Sequence, residues 1–500
     1  MARLRPSLVL GLACLGLHLL ANGRYGIFRD ELYFIACGDR PDWGYVDQPA
    51  LIPLLASWSH ALFGDFLLGF RLLPALVISA TVALTAEFAR AVGGGRFAQW
   101  LAGLCVLLGP VFLLDGVLFT TDMFQPLTWL GLAWVLVRLE QTGDERWWLA
   151  FGVLAGFSLN TKYLVAFYIA ALAIGLVATP QRKSLRRPYV YLGVLLAFLL
   201  ILPNILWQQA HGWAFLELGK AAAGGKNLAL SLPAFFVQQL LLIGPVSAAV
   251  WLCGLWAGMV RPNLAAARVL PIAWLILLGV FTLSHGKPYY LAAIYPALLA
   301  LGASRIEGWI TGTTARSALL VVIAVGGVPS APFTLPILPV ETFIAYSGAL
   351  NFTPSTGEHQ RLAQLPQYYA DMFGWREMAQ KVAGVYWSLP PQERARAVFY
   401  GNNYGEAAAI DVFGPRLGLP PAISGHNNYY LWGPRGHDGS VVIIIGGDTR
   451  HYADLFGSFR VAGRIETLHA MPYETGLPIY VLRGMKMPLQ AYWPQTKSYH

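Results

Sequence analysis

Two adjacent carboxylates, Asp30 and Glu31, stand in the run Arg29-Asp30-Glu31-Leu32-Tyr33-Phe34, shortly after the first apolar segment of the chain. A carboxylate held within hydrogen-bond reach of a hydroxyl can take its proton as the hydroxyl attacks, the general-base role. An acidic surface loop would carry the same pair, so Asp-Glu alone leaves both readings open. The loop continues through Trp43-Gly44-Tyr45-Val46-Asp47-Gln48-Pro49, adding Tyr45 and Asp47 as candidate substrate contacts. Thr120-Thr121-Asp122 precedes another apolar segment. Asp122 can face a substrate there, or cap the next helix, where an acid satisfies exposed amides and suits the helix dipole; Asp115 reads as a structural residue. Cations recur at similar positions: Arg71, Lys162 in Asn160-Thr161-Lys162-Tyr163, and His285 and Lys287 in His285-Gly286-Lys287-Pro288-Tyr289-Tyr290. Separate cations at one level can surround a phosphate, although a lysine at a membrane rim also snorkels harmlessly.

The elements that must position these groups are membrane helices. Apolar residues make up 56% of the 500 positions and charged residues 12%, about half the charged share of a soluble protein. Leu101 to Leu114, Leu192 to Trp207 and Ala318 to Val340 contain no charge, and one central charge costs about 2.5 to 3.5 kcal/mol on insertion scales. The pattern predicts about eleven spans, near 5–22, 66–89, 97–114, 123–138, 147–160, 163–179, 189–209, 232–260, 269–284, 288–304 and 317–336. Met1 to Asn22 has the basic start and apolar middle of a signal peptide, without a clear cleavage site, and is read as the first span.

With the N-terminus in the cytoplasm, the inside loops hold fourteen cations against five acids, while the outside loops hold eight against nine and the tail thirteen against twelve. The formal charge of +9 is therefore a positive-inside signature and does not imply nucleic acid. An odd number of spans places the tail outside, together with Asp30, Glu31, Asp122, Lys162 and Lys287. The predicted organisation is a transmembrane domain over 1–340, with an outside loop over 23–66, and a soluble α/β domain over 341–500. In the tail, β-rich runs at Ala397 to Tyr400, Val441 to Ile445 and Ile479 to Leu482 alternate with helix-like stretches at Met378 to Trp387 and Glu406 to Phe413. Asn402 to Glu406 and Ser424 to Trp432 read as polar, aromatic loops, which bind ligands or pack at turns. Asn351-Phe352-Thr353 matches a glycosylation sequon and is read as a chance match. Cys14, Cys37, Cys105 and Cys253 show no disulfide or metal spacing.

RDELYF at 29–34, GYVDQP at 44–49, TTD at 120–122, TKY at 161–163, HGKPYYLAAIYP at 285–296, YADMFGW at 369–375, NYGEAAAIDVFG at 403–414 and SGHNNYYLWGP at 424–434, in this order and placement, resemble the membrane glycosyltransferases of the GT-C superfamily. The resemblance is to the bacterial family-39-like branch related to protein O-mannosyltransferases and to the aminoarabinose transferase acting on lipid A. It implies an inverting transferase of the bacterial inner membrane that moves a sugar from a polyprenyl-phosphate donor to a glycolipid, polysaccharide or protein hydroxyl at the outer face. Carried over, Asp30 is the general base and Glu31 positions or tunes it. Asp122 orients donor or acceptor, and Lys162 contacts the donor phosphate. Arg71, His285, Lys287 and Tyr290 belong to the same phosphate and sugar region, with Tyr45 and Asp47 as further substrate contacts. Nearby acids and cations suit a transition state that is positive at the anomeric carbon and negative on the departing phosphate. Without a DxD or a histidine cluster, no metal or other cofactor is expected. The competing readings are a lipid or solute transporter, which usually places its ionisable groups at the midplane of repeated halves, and a noncatalytic membrane protein with a partner-binding tail.

Overall fold

The computed structural model describes residues 5–222, 224, 229–260, 265–352 and 364–499. Thr353 of the sequon, and Arg3 and Arg261 among the expected inside charges, lie outside the described residues. The chain divides into two compact units. One comprises Met1–Arg24, Asp65–Trp207 and Asn227–Phe343; the other comprises Tyr25–Gly64, Gln208–Lys226 and Ile344–His500.

The first unit is helical. Leu72–Ala91, Pro188–Ala210, Pro288–Trp309 and Thr313–Phe333 are each long and apolar enough to cross a membrane, and Leu232–Ile243 with Pro245–Val260 forms a fifth such stretch, bent by 103°. The bend falls at Gly244-Pro245, where Gly244 takes a φ of 93° and the proline cannot supply an amide to continue the ladder. Pro6–Ala21, Arg96–Leu107, Trp147–Leu159, Val165–Val177 and Val269–Leu283 are shorter apolar helices. The expected span at 97–114 is broken after Leu107, and a short helix, Pro110–Asp115, follows.

Apolar surroundings give helices no hydrophobic reason to associate, so close backbone approach matters more. Gly254 of Ala248–Val260 and Gly302 of Tyr295–Trp309 supply it: a Cβ on Gly254 would overlap the Leu298 carbonyl, and one on Gly302 the Val250 carbonyl. Beside this contact Trp251, fully buried, packs edge-on to Tyr295 at 5.1 Å between ring centres. Tyr295 accepts from Trp274 Nε1 at 3.1 Å and donates to Gln239 Oε1 at 3.1 Å; Gln239 Nε2 in turn donates to the Pro288 carbonyl at 3.0 Å. The turn carrying Lys287 and Tyr290 is thereby fixed to the bent helix pair.

In the second unit four strands, β1 (Ala397–Tyr400), β2 (Val441–Ile445), β3 (Phe456–Ile465) and β4 (Leu477–Met485), form a sheet in the order β1-β2-β4-β3. β1 and β2 are parallel and the other pairs antiparallel. Every residue of β2, Val441-Val442-Ile443-Ile444-Ile445, is buried, as expected of a central strand covered on both faces. The three expected strand runs lie on β1, β2 and β4, and the two helix-like stretches on Trp375–Trp387 and Tyr404–Phe413. The stretch read as a loop over 23–66 contains two helices, Arg29–Gly38 and Leu51–Phe63, which pack closely; a Cβ on Gly38 would overlap the Pro53 carbonyl. This stretch clusters with the C-terminal residues in the second unit.

Gly302→Ala is expected to destabilise the detergent-solubilised protein by about 1 to 3 kcal/mol, the usual cost of overpacking. Gly16→Ala, whose new methyl would meet nothing within 4 Å, should leave thermal unfolding unchanged. An unaffected Gly302→Ala variant would show that this backbone contact is not limiting.

Candidate active site

The helix Arg29–Gly38 begins at the acidic pair. Glu31 is fully buried, and its Oε2 accepts the Phe28 amide at 2.8 Å. It thus satisfies one of the amides that a helix start leaves without an intrahelical partner. Asp30, one position earlier, points elsewhere. Its Oδ1 accepts the Tyr404 hydroxyl at 2.7 Å and lies 3.5 Å from Arg29 Nε, with the Asp30 side chain 32% exposed. Its Oδ2 accepts no hydrogen bond among the described residues. The carboxylate therefore has one anchored oxygen and one available to a ligand.

Arg29 is 14% exposed, and residues of the C-terminal stretch surround it: Asp371 at 3.7 Å, the Tyr473 hydroxyl at 3.0 Å and the face of the Tyr404 ring at 5.3 Å. Burial opposes its charge, but Asp371, Tyr404 and Asp30 outweigh that cost and hold its proton more tightly than usual. Burial also pushes the Tyr404 phenol well above its ordinary value, which keeps it a donor. Behind it Glu474 accepts from Asn403 Nδ2 at 2.9 Å, and Glu406 accepts the Asn402 amide at 2.8 Å. Burial raises the pKa of both, and the charge of Glu474 raises Glu406 further.

Tyr45 and Asp47 are placed nearby in the same unit. Tyr45 is buried and donates its hydroxyl to the backbone carbonyls of Cys37 and Arg40, at 2.8 and 3.2 Å, so it pins the loop after the helix. Asp47 accepts from Tyr33 at 3.0 Å, and the Tyr33 oxygen accepts the Asn428 amide at 3.2 Å. Of these two, only Asp47 remains partly exposed.

In the helical unit, Lys162 and Asp122 form an ion pair at 2.6 Å, 18% and 22% exposed. The ammonium also lies over the rings of Tyr290 at 5.2 Å and Tyr289 at 5.6 Å. A buried polar chain brings the two turns together: Gln125 Nε2 donates to Thr161 Oγ1 at 3.0 Å, Thr161 donates to the Ser158 carbonyl at 2.7 Å, and Ser158 and Thr128 share a hydrogen bond of 2.8 Å. Thr161 adjoins Lys162 in sequence, Ser158 and Gln125 lie about one helical turn from Lys162 and Asp122, and Thr128 lies a further turn along its helix. Asp115, read from the sequence as structural, belongs with this group. Desolvation and then the Asp122 charge raise its pKa, so it holds its proton beyond the usual carboxylate range. Arg71 is fully buried and donates to the Asn22 carbonyl at 3.3 Å, while Asn22 Nδ2 donates to the Gly116 carbonyl at 2.7 Å. Asn22, at the end of the first helix, is thus tied both to Arg71 and to the turn beside Asp115. His285, at a φ of 53°, and Lys287 lie in the turn that leads into Tyr289 and Tyr290. No group of three or more His, Cys, Asp or Glu suited to a metal ion occurs among the described residues.

Tyr404 and Asp371 were not singled out individually from the sequence, and Asp115 was read there as structural. The first two lie in the NYGEAAAIDVFG and YADMFGW segments, whose polar aromatic composition was the available signal; Tyr473 and Glu474 carried none.

The helical unit carries carboxylates and an ammonium at its turns, beside an α/β unit in the same chain. The family described as dolichyl-phosphate-mannose-protein mannosyltransferase matches residues 47–207. An undecaprenyl phosphate-α-4-amino-4-deoxy-L-arabinose arabinosyl transferase of Pseudomonas fluorescens is 28% identical over 61% of this chain and 59% of its own length. The lipid A galacturonosyltransferase RgtD of Rhizobium johnstonii is 26% identical over 50% and 53%. The chain thus spans between half and three-fifths of the length of these two relatives. ArnT from Cupriavidus metallidurans, solved bound to undecaprenyl phosphate, superimposes with a TM-score of 0.62 at 16% identity, over 95% of this chain and 97% of that one. The chain shares the fold of ArnT, and part of it matches a family of mannosyltransferases.

The buried acids give the second unit a pH signature. Below about 4.3, the usual value for a glutamate, Glu474 is protonated folded or unfolded. Above it the unfolded chain ionises first, because the folded pKa is raised, so stability falls as pH rises. Glu474→Gln is expected to flatten this decline in thermal unfolding between about pH 4 and 7; an unchanged slope would assign the decline elsewhere.

Proposed function

We propose that this protein is an inverting glycosyltransferase that moves a sugar from a polyprenyl-phosphate donor to a hydroxyl of a glycolipid, polysaccharide or protein at the outer face of the bacterial inner membrane. The observation that carries the reading is Asp30, with Oδ1 anchored by Tyr404 and Oδ2 uncommitted among the described residues. In the reaction the acceptor oxygen attacks the anomeric carbon, its proton passes to Asp30 Oδ2, and the bond from that carbon to the phosphate oxygen breaks. The polyprenyl phosphate leaves with the bonding pair, and a single displacement inverts the configuration. Glu31 acts through the helix start and leaves the proton transfer to Asp30. The names of the relatives, which specify an undecaprenyl-phosphate aminoarabinose and lipid A, support this substrate class.

Lys162 is assigned to the donor phosphate. An ammonium has three donors; Asp122 takes one at 2.6 Å, and the Tyr289 and Tyr290 rings confine the side chain. Asp122 thus orients the cation, and the raised pKa of Asp115 favours a carboxyl that gives a hydrogen bond to a phosphate oxygen. Eleven crossings with the N-terminus in the cytoplasm and the C-terminal domain in the periplasm agree with the excess of cations in the inside loops. No metal is required by this scheme.

With undecaprenyl-phosphate 4-amino-4-deoxy-L-arabinose as donor and lipid A as acceptor in proteoliposomes, Asp30→Asn is expected to reduce transfer at least about a thousand-fold, beyond the usual contribution of a positioned base, while donor binding stays near normal. Full activity in Asp30→Asn would eliminate it as the base. Lys162→Met should instead raise the donor KM about ten-fold or more, as for loss of a charge-assisted contact. An unchanged donor KM would remove Lys162 from the phosphate site.

A further inference from the structure

Asp30 and Tyr404 are 374 residues apart in sequence and share a 2.7 Å hydrogen bond. A side chain on the exposed face of a helix ordinarily samples several rotamers, and a base that does so presents its reactive oxygen only part of the time. Tyr404 is itself immobilised. Its ring lies 4.7 Å from Tyr33, 4.9 Å from His426 and 5.3 Å from the Arg29 guanidinium. Its backbone amide donates to His426 Nδ1 at 3.2 Å, and Asn403 caps the helix Tyr404–Phe413 by accepting the Glu406 amide at 3.0 Å. The phenol oxygen is therefore delivered from a fixed point, with no conformational adjustment needed at the moment of reaction.

We propose that Tyr404, from the α/β domain, is a positioning residue for the reaction: its hydroxyl holds Asp30 Oδ1 and thereby aims Oδ2 at the acceptor hydroxyl. This rests on the reading of Asp30 as the base. The geometry supports the role from both partners. Arg29 lies against the same oxygen at 3.5 Å and is itself held by Asp371 and Tyr473, so the two anchors converge on Oδ1. Burial keeps the phenol protonated, so it donates throughout and never competes with Asp30 for the acceptor's proton. The C-terminal domain accordingly contributes to turnover through one hydroxyl, in addition to any role in binding.

Tyr404→Phe retains the ring and its three stacking contacts and removes only the hydroxyl. In the full-length protein in proteoliposomes, with undecaprenyl-phosphate 4-amino-4-deoxy-L-arabinose and lipid A, kcat is expected to fall about ten- to hundred-fold, as for loss of one hydrogen bond to a charged group. Both KM values should stay within about two-fold, because orientation of the base matters after binding. In an Asp30→Glu background, where the carboxylate is one methylene further from the helix, adding Tyr404→Phe should cost less than about two-fold, since coupled residues are not additive. An unchanged kcat in Tyr404→Phe, or an equal loss in both backgrounds, overturns the proposal. If Asp30→Asn is inactive while Tyr404→Phe is fully active, the base assignment stands and the positioning role fails. If Asp30→Asn is active, the base assignment itself fails. A variant that loses folded yield is resolved by the Asp30→Glu pair, compared at matched thermal stability.

Discussion

Arg29 carries a charge that is 14% exposed, and the arrangement of the second unit follows from how that charge is compensated. An isolated buried guanidinium would cost several kcal/mol. Asp371, the Tyr473 hydroxyl, the Tyr404 ring and Asp30 surround it instead. Three of these four groups lie beyond residue 370, so satisfying one arginine joins the first loop helix to the C-terminal sheet domain. The same compensation leaves Asp30 as the partly exposed group of the network, with its second oxygen accepting no hydrogen bond among the described residues. A chemically useful carboxylate thus arises from a structural requirement: the interior needs Asp371, and Asp30 completes the set while remaining partly in water.

The helical unit solves a similar problem with less burial. Lys162 and Asp122 sit at two turns and neutralise each other at 2.6 Å, while hydroxyl and amide side chains at Gln125, Thr128, Ser158 and Thr161 use up one another's hydrogen-bonding capacity beneath them. Polar groups in apolar surroundings are costly unless paired, and here the pairing also fixes the register of the two turns. Asp115 is the exception, a carboxyl whose pKa burial and then the Asp122 charge raise, against the opposing pull of Lys162. A neutral acid beside an ion pair is a donor where the ion pair supplies charge, and together they are complementary to a phosphate.

Much of this was legible in the sequence. Asp30, Glu31, Asp122 and Lys162 stood out because charges are scarce in a chain with 12% charged residues, and β1, β2 and β4 because their apolar runs are short and rich in β-branched and aromatic residues. β3 was missed: Phe456-Gly457-Ser458-Phe459-Arg460-Val461 has a glycine and an arginine and is mostly exposed at the sheet edge, so it lacks a buried-strand pattern. The two helices within 25–64 were missed because they are capped by Phe28 and Ala50, with no Ser, Thr, Asp or Asn at either cap. Tyr45 looked like a loop aromatic available to a ligand; its hydroxyl is committed to Cys37 and Arg40. Contacts such as Tyr404 to Asp30 depend on tertiary placement across 374 residues, which no local pattern encodes.

The proposed scheme is a single displacement at the anomeric carbon, which distinguishes it from one passing through a glycosyl-enzyme intermediate. The anomeric configuration of the product, read by NMR after transfer from a donor whose sugar is α-linked to undecaprenyl phosphate, tests this most directly. The scheme requires a β-linked product from every turnover; a product that retains the α configuration would contradict it.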